Sequence, residues 1–212
     1  MSFTFLLLTK NSLYSFCKNN KNSQLSFPHE VVAYQEIANR TSFDALLTQY
    51  LAAYSKYEAI LLLSNDIIFQ KILPLSPQTN IADEEKKFID LIPFAPSNVA
   101  SIIIKSTNAL KMYATNTDIY KTIFKVAQLH AITIKHVVPL SPFSDVLENK
   151  PLSFETLSQI RKDKKLLNRV DFLLLDIKNT HSSTLLKRLL LLLAIPLITG
   201  LLIFIFLFIV KK

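Results

Sequence analysis

The sequence predicts an α/β (α+β) domain built on a mixed sheet and followed by one C-terminal transmembrane helix. Three observations predict it. Short apolar and β-branched runs alternate with runs at helical spacing from Phe3 to Pro139. From Glu58 on their order is hairpin, helix, hairpin, helix, strand, which demands strands of both directions in the sheet. The last observation is a long uncharged run from Leu189 to Val210.

Phe3 to Thr9 and Leu13 to Cys17 read as strands, and Glu30 to Ile37 reads as a third after a polar loop at 18–24. Thr41 is placed to cap the first helix, with Asp44 three residues on as a variant of the capping box. Phe43, Leu46, Leu47, Tyr50, Leu51 and Tyr54 then line one helical face, the pattern of a core-facing stripe. Glu58 to Ser64 is the apolar run of a central strand, Asn65-Asp66 a turn, and Ile67 to Leu73 its expected hairpin partner. Pro74 and Pro77 close that unit. Asn80 can cap the next helix, with Asp83, Glu84 and Glu85 in the first turn, where the helix dipole favours anions. That helix must stop before Pro93, because the residue preceding a proline is pushed out of the α region. Val99 to Lys105 and Ala109 to Thr115 form a second hairpin. Thr115 and Asp118 repeat the capping pattern ahead of a helix to about His130, whose buried stripe is Ile119, Ile123, Val126 and Ala127. Ile132 to Val138 is a last strand, ended by Pro139.

These elements define a head at 1–140, a basic stalk at 141–188 and the span at 189–210. In the stalk, Ser153 can cap a helix carrying Phe154, Leu157 and Ile160, which runs into the basic 161–169. Such a helix suits either the head or a lipid surface. The uncharged run would rise roughly 33 Å as a helix, enough for a hydrocarbon core of about 30 Å. Pro196 and Gly200 lie inside it and are tolerated in membrane helices. Lys187 and Arg188 flank it on one side, Lys211 and Lys212 on the other. The stretch 161–188 carries eight basic and three acidic side chains, whereas 1–160 is nearly balanced. Cytoplasmic flanks hold the Lys/Arg excess, so the expected topology is single-pass in the inner (plasma) membrane with the head cytoplasmic. The basic flank would meet anionic lipid. No basic stripe with interleaved aromatics points to nucleic acid. The start of the chain lacks the basic n-region and cleavage site of a signal peptide, and Cys17, the single cysteine, suits a reducing compartment.

Chemistry is not invited by the remaining residues. His29, His130, His136 and His181 have no i, i+4 pairing and no Cys or carboxylate cluster beside them. No serine sits in a Gly-x-Ser-x-Gly elbow. The acidic-basic run Asp83 to Lys87 is explained by a solvated helix start. The expectation is a non-enzyme without catalytic, cofactor or metal residues.

Leu73-Pro74 at a strand end, an acidic helix running into Ile92-Pro93-Phe94, then hairpin, helix, strand and Pro139 form a familiar order. This stretch, about 45–143, resembles the actin-like (ribonuclease H-like) cytoplasmic proteins of type IV pilus assembly (PilM-like) and the type II secretion platform L subunit (GspL-like). The resemblance implies a partial, truncated actin-like head. It further implies a non-catalytic scaffold whose partners are other inner-membrane platform subunits and the lipid bilayer, with homo-oligomers possible. The pilus protein's nucleotide binding does not carry over. Glycine-rich turns let backbone N–H groups approach phosphate, and the only glycine here is Gly200. The alternative is a tail-anchored α/β sensor or ligand-binding domain unrelated to pili. A cell-wall sorting tail, the third reading, lacks its motif.

Overall fold

The computed structural model describes residues 2–18, 22–147 and 150–174. The chain divides into a compact unit, Met1–Leu173, and a second unit, Leu174–Lys212. The second lies almost wholly outside the described residues. So do Lys187, Arg188, Leu189, Pro196, Gly200, Val210, Lys211 and Lys212, with the expected span. Among the described residues no helix is long and apolar enough to cross a membrane.

A five-stranded mixed sheet organises the first unit. Its strands are β1 (Phe3–Leu8), β2 (Ser12–Cys17), β3 (Ser23–Ser26), β6 (Glu58–Leu63) and β10 (Thr133–Pro139), in the order β10-β6-β1-β2-β3. β10, β6 and β1 run parallel, while β2 and β3 continue in antiparallel pairs. β6 lies between parallel neighbours, and Ala59 to Leu63 are all buried, as a strand covered on both faces requires. Phe5, Leu7, Ile60, Leu62 and Val138 share one core cluster with Leu157, Ile160, Leu167 and Val170. The alternate residues Leu6, Leu8, Leu61 and Leu63 are buried on the other face, because successive side chains point to opposite sides. Helices α1 (Arg40–Leu51) and α3 (Thr117–Leu129) pack together, and α3 packs on β10.

Between β6 and α3 the chain builds a smaller module. Strands β7 (Phe69–Pro74), β8 (Val99–Lys105) and β9 (Ala109–Asn116) form a separate sheet in the order β7-β9-β8, and α2 (Ile81–Asp90) packs on it. Its own core holds Phe88, Ile92, Leu110, Met112 and Ala114. The hairpin expected between Glu58–Ser64 and Ile67–Leu73 is therefore absent. β7 pairs β9 instead, since the turn at Asn65-Asp66 leaves one sheet for another.

Other boundaries differ for local reasons. The strand expected at Glu30–Ile37 is a miniature hairpin of β4 (Val32–Ala33) and β5 (Glu36–Ile37). Its turn residues Tyr34 and Gln35 have φ of 52° and 62°, so the run cannot stay extended. β3 begins inside the stretch read as a polar loop. The caps of α1 and α3 are asparagines rather than threonines. Asn39 caps α1 by accepting from the Ser42 N–H, and Asn116 caps α3 by accepting from that of Asp118. Asn80 caps α2 as expected.

The boundary expected at residue 140 is also displaced. Following α4 (Ser144–Leu147), α5 (Phe154–Lys162) and α6 (Lys164–Arg169) bury Leu157, Ile160 and Leu167 against the sheet, so 141–173 belongs to the head. Of the two places open to this helix, it takes the head. The chain then wraps the free edge of β10. Val170 enters the cluster on the α5 and α6 side, and Phe172 meets Tyr120 of α3 at 6.3 Å between ring centroids. Asp171 lies between them, its carboxylate accepting the Val137 N–H at 2.9 Å and the Leu173 N–H at 3.0 Å, and bonded to His136 Nδ1 at 2.8 Å. A carboxylate thus occupies a backbone group of the edge strand that would otherwise be open to another chain.

Candidate functional site

In open α/β sheets ligands bind beyond the carboxyl ends of the parallel strands. Here those ends are Leu8, Leu63 and Pro139, and the turns that follow β1 and β6 are tied together there. The Lys10 N–H donates to Asp66 Oδ2 at 3.0 Å, and Ser64 Oγ donates to Asp66 Oδ1. Gln35 Nε2 donates to the Asp66 carbonyl at 3.1 Å. The turn after β1 holds Thr9, Lys10 and Asn11, none of them glycine. Asp66 is exposed and ties these turns together, each of its carboxylate oxygens accepting one protein donor.

The five residues singled out as family-like meet in the module. Leu73 and Phe94 pack against its core and Ile92 lies within it. Phe94 meets Phe69 edge to face at 5.9 Å. Pro93 is exposed and Pro74 ends β7 opposite Ala109. Ile-Pro-Phe thus ends α2 with Ile92 and Phe94 both turned to the same core and Pro93 outward between them. That role is structural. Phe69, Lys71 and Leu73 share one face of β7, with Lys71 Nζ 3.2 Å from Glu84 Oε2 on α2. Two hydrogen-bonding lysines, Lys87 before Lys71, hold the Glu84 carboxyl below its ordinary range. On the other side of β7, Gln70 and Ile72 are exposed, Ile72 at 54%. β7 is an edge strand of its sheet, so this apolar side chain stands beside unpaired backbone groups.

A polar cleft of about 350 Å³ opens where the turn at Ser97-Asn98 approaches the first turns of α1 and α3. Arg40 is held there by Asp118 at 2.9 Å and by Thr122. Lys121 and Lys125 also line it, and one carboxylate oxygen of Asp44 is buried without a partner. The cleft mixes both signs of charge. Among the described residues no group of three His, Cys, Asp or Glu could hold a metal ion. His136 is committed to Asp171, and His29 lies edge-on to Tyr34.

No protein-family model matches the sequence, and no curated protein matches it. Solved structures do resemble the fold. The cytoplasmic domain of EpsL, an inner membrane component of the type II secretion system of Vibrio cholerae, is 10% identical with a TM-score of 0.44, over 69% of this chain and 58% of that one. The PilM–PilN type IV pilus biogenesis complex gives 12% and 0.47, over 69% and 49%. A Bacteroides thetaiotaomicron protein with actin-like ATPase fold and unknown function gives 11% and 0.33, over 63% and 51%. The chain spans about half the length of these structures. The domain itself is built on a mixed α/β sheet.

Proposed function

We propose that this chain is a non-catalytic scaffold subunit of an inner-membrane assembly platform of the type IV pilus or type II secretion kind. Its head would lie in the cytoplasm, held by a single helix at Leu189 to Val210. The observation that carries the scaffold reading is the contrast between the two sheets. At the five-stranded sheet, the turns after β1 and β6 are tied together through Asp66, while the module leaves the edge of β7 open with Ile72 outward. Open edges bind partner strands through backbone hydrogen bonds. The assignment to this kind of platform is supported by the resemblance carried by Leu73-Pro74 and Ile92-Pro93-Phe94, and its other subunits are the partners assigned. The test is affinity purification of the full-length chain from gently solubilised native membranes, beside an Ile72→Asp variant. Recovery of platform subunits with the natural chain and their loss with the variant is the expected result. A preparation that recovers none overturns the platform reading.

A second reading, a tail-anchored ligand-binding domain, is favoured by the cleft at Arg40. Its volume falls within the range of small-molecule sites, and the Asp44 oxygen lacks a donor. A metabolite screen by thermal shift, with Asp44→Asn as control, decides that reading.

A further inference from the structure

The corner of α5 and α6 gathers four basic side chains within five residues. Arg161, Lys162, Lys164 and Lys165 are all exposed, and Leu157, Ile160 and Leu167 bury the opposite side, so the cations share the outward face. Asp163, the one acid among them, is spent as the cap of α6, accepting the Leu166 N–H at 2.9 Å. Arg161 and Lys162 end α5, where the helix dipole favours cations. Lys164 and Lys165 begin α6, directly after that cap.

The same corner contains a notch of about 170 Å³ lined by Phe3, Lys135, His136, Arg161, Lys164 and Asn168 among others. It is smaller than sites for whole metabolites, and of a size for one small group. The Arg161 guanidinium lies 4.2 Å from the centre of the Phe3 ring. Stacking uses the face of the guanidinium and leaves its N–H edge free for the bidentate recognition of phosphate. His136 is held by Asp171, and Glu58, the carboxylate in the notch, is neutralised by Lys135 at 3.1 Å.

We propose that this corner is the surface with which the head lies on an anionic membrane leaflet, the notch seating the phosphate of one lipid headgroup. The inference rests on the membrane-anchored reading above. Only the short segment 175–188 separates the head from the uncharged run, so an anchored head is held at high effective concentration near the bilayer. Juxtamembrane Lys and Arg each strengthen contact with an anionic surface about fivefold, so three together contribute roughly a hundredfold.

The experiment uses the full-length chain in nanodiscs of phosphatidylcholine alone or mixed with phosphatidylglycerol, and follows acetylation of Lys165 by mass spectrometry. The expected result is acetylation slowed at least about tenfold by the anionic lipid. That protection should vanish at high salt and in an Arg161→Gln/Lys162→Gln/Lys164→Gln variant, and survive in a Lys86→Gln/Lys111→Gln control. Equal rates in both nanodiscs overturn the proposal. Inorganic phosphate added to neutral nanodiscs separates the sources: equal protection there would make soluble phosphate the ligand and overturn the lipid assignment. A chain that fails to enter neutral nanodiscs refutes the anchor, and vesicles added to the chain in solution then decide this surface by the same readout. Recovery of platform subunits is a separate measurement and stands or falls independently.

Discussion

Asp171→Ala removes the carboxylate at the edge of β10. Its side chain is 1% exposed and serves three partners, the N–H groups of Val137 and Leu173 and the His136 ring. Hydrogen bonds to a charged group contribute about 1.5–3 kcal/mol each, and a buried donor left alone costs about 1–3 kcal/mol. His136 is 24% exposed and regains water, so its share is small. The Val137 amide lies under the strap and stays unsatisfied. The loss should be about 3–4 kcal/mol, within the range for breaking a buried pair from one side. Asp171→Asn keeps one acceptor oxygen and should lose about half of that. The chain has seven tyrosines and no tryptophan, so urea unfolding can be followed by tyrosine fluorescence. At a slope of about 2 kcal/mol per M, the midpoint of Asp171→Ala should fall by about 1.5–2 M. Hydrogen exchange at Val137 should accelerate by the same free energy, ahead of the amides of β1. A midpoint within about 0.3 M of the natural chain would refute this account of the edge.

Phe94→Ala should cost about 2 kcal/mol, because Phe94 is half-buried and loses its contact with Phe69; exchange should rise in β7, β8 and β9 and stay unchanged in β1 and β6. Asp66→Asn should speed exchange of the Lys10 amide with little change in global stability, since Asp66 is exposed; a large stability loss would mean that the turn is part of the folding core. Burial pushes the Tyr50 hydroxyl up to about 12, against opposing hydrogen bonds from Ser15 and Ser23. The folded state therefore holds this proton more tightly than the unfolded one. Stability from Tyr50 is present in full below about pH 10 and declines as pH rises towards 12, a slope that Tyr50→Phe should reduce in alkaline urea titrations. Burial raises the Tyr113 hydroxyl as well and adds to the same decline.

Most elements are legible in the sequence because their signals are local. The β-branched run at 99–105, the cap at Asn80 and the stripe from Ile119 to Ala127 are each set within one element. Pairing is not legible. The run from Ile67 follows β6 across a turn suited to a hairpin, but its partner β9 lies beyond α2 and β8 in the chain, and the two strands share a core with α2. β3 offers one apolar residue, Leu25, and is held by register with β2 and by hydroxyl contacts of Ser23 with Tyr50 and Tyr54. The spacing of Leu157, Ile160 and Leu167 fits a lipid surface as well as a protein core, so the pattern alone ends the head too early. Asp171 carries no sequence signal for the position it takes, and Asp66 is legible only as a turn residue. Their partners Val137, His136 and Lys10 come from distant parts of the chain.

The strap at 170–172 has a mechanical consequence. The chain leaves the head at Leu173, so tension along it from the following residues reaches Asp171 and Phe172 first. To pass further, it must shear a carboxylate away from Val137 and draw two fully buried side chains, Val170 and Phe172, from opposite faces of one sheet. A load applied at a loose end would peel contacts away singly; here it meets them together. Contacts of this kind should make β10 resist a pull through residues 170–172 more than one applied at a free strand end.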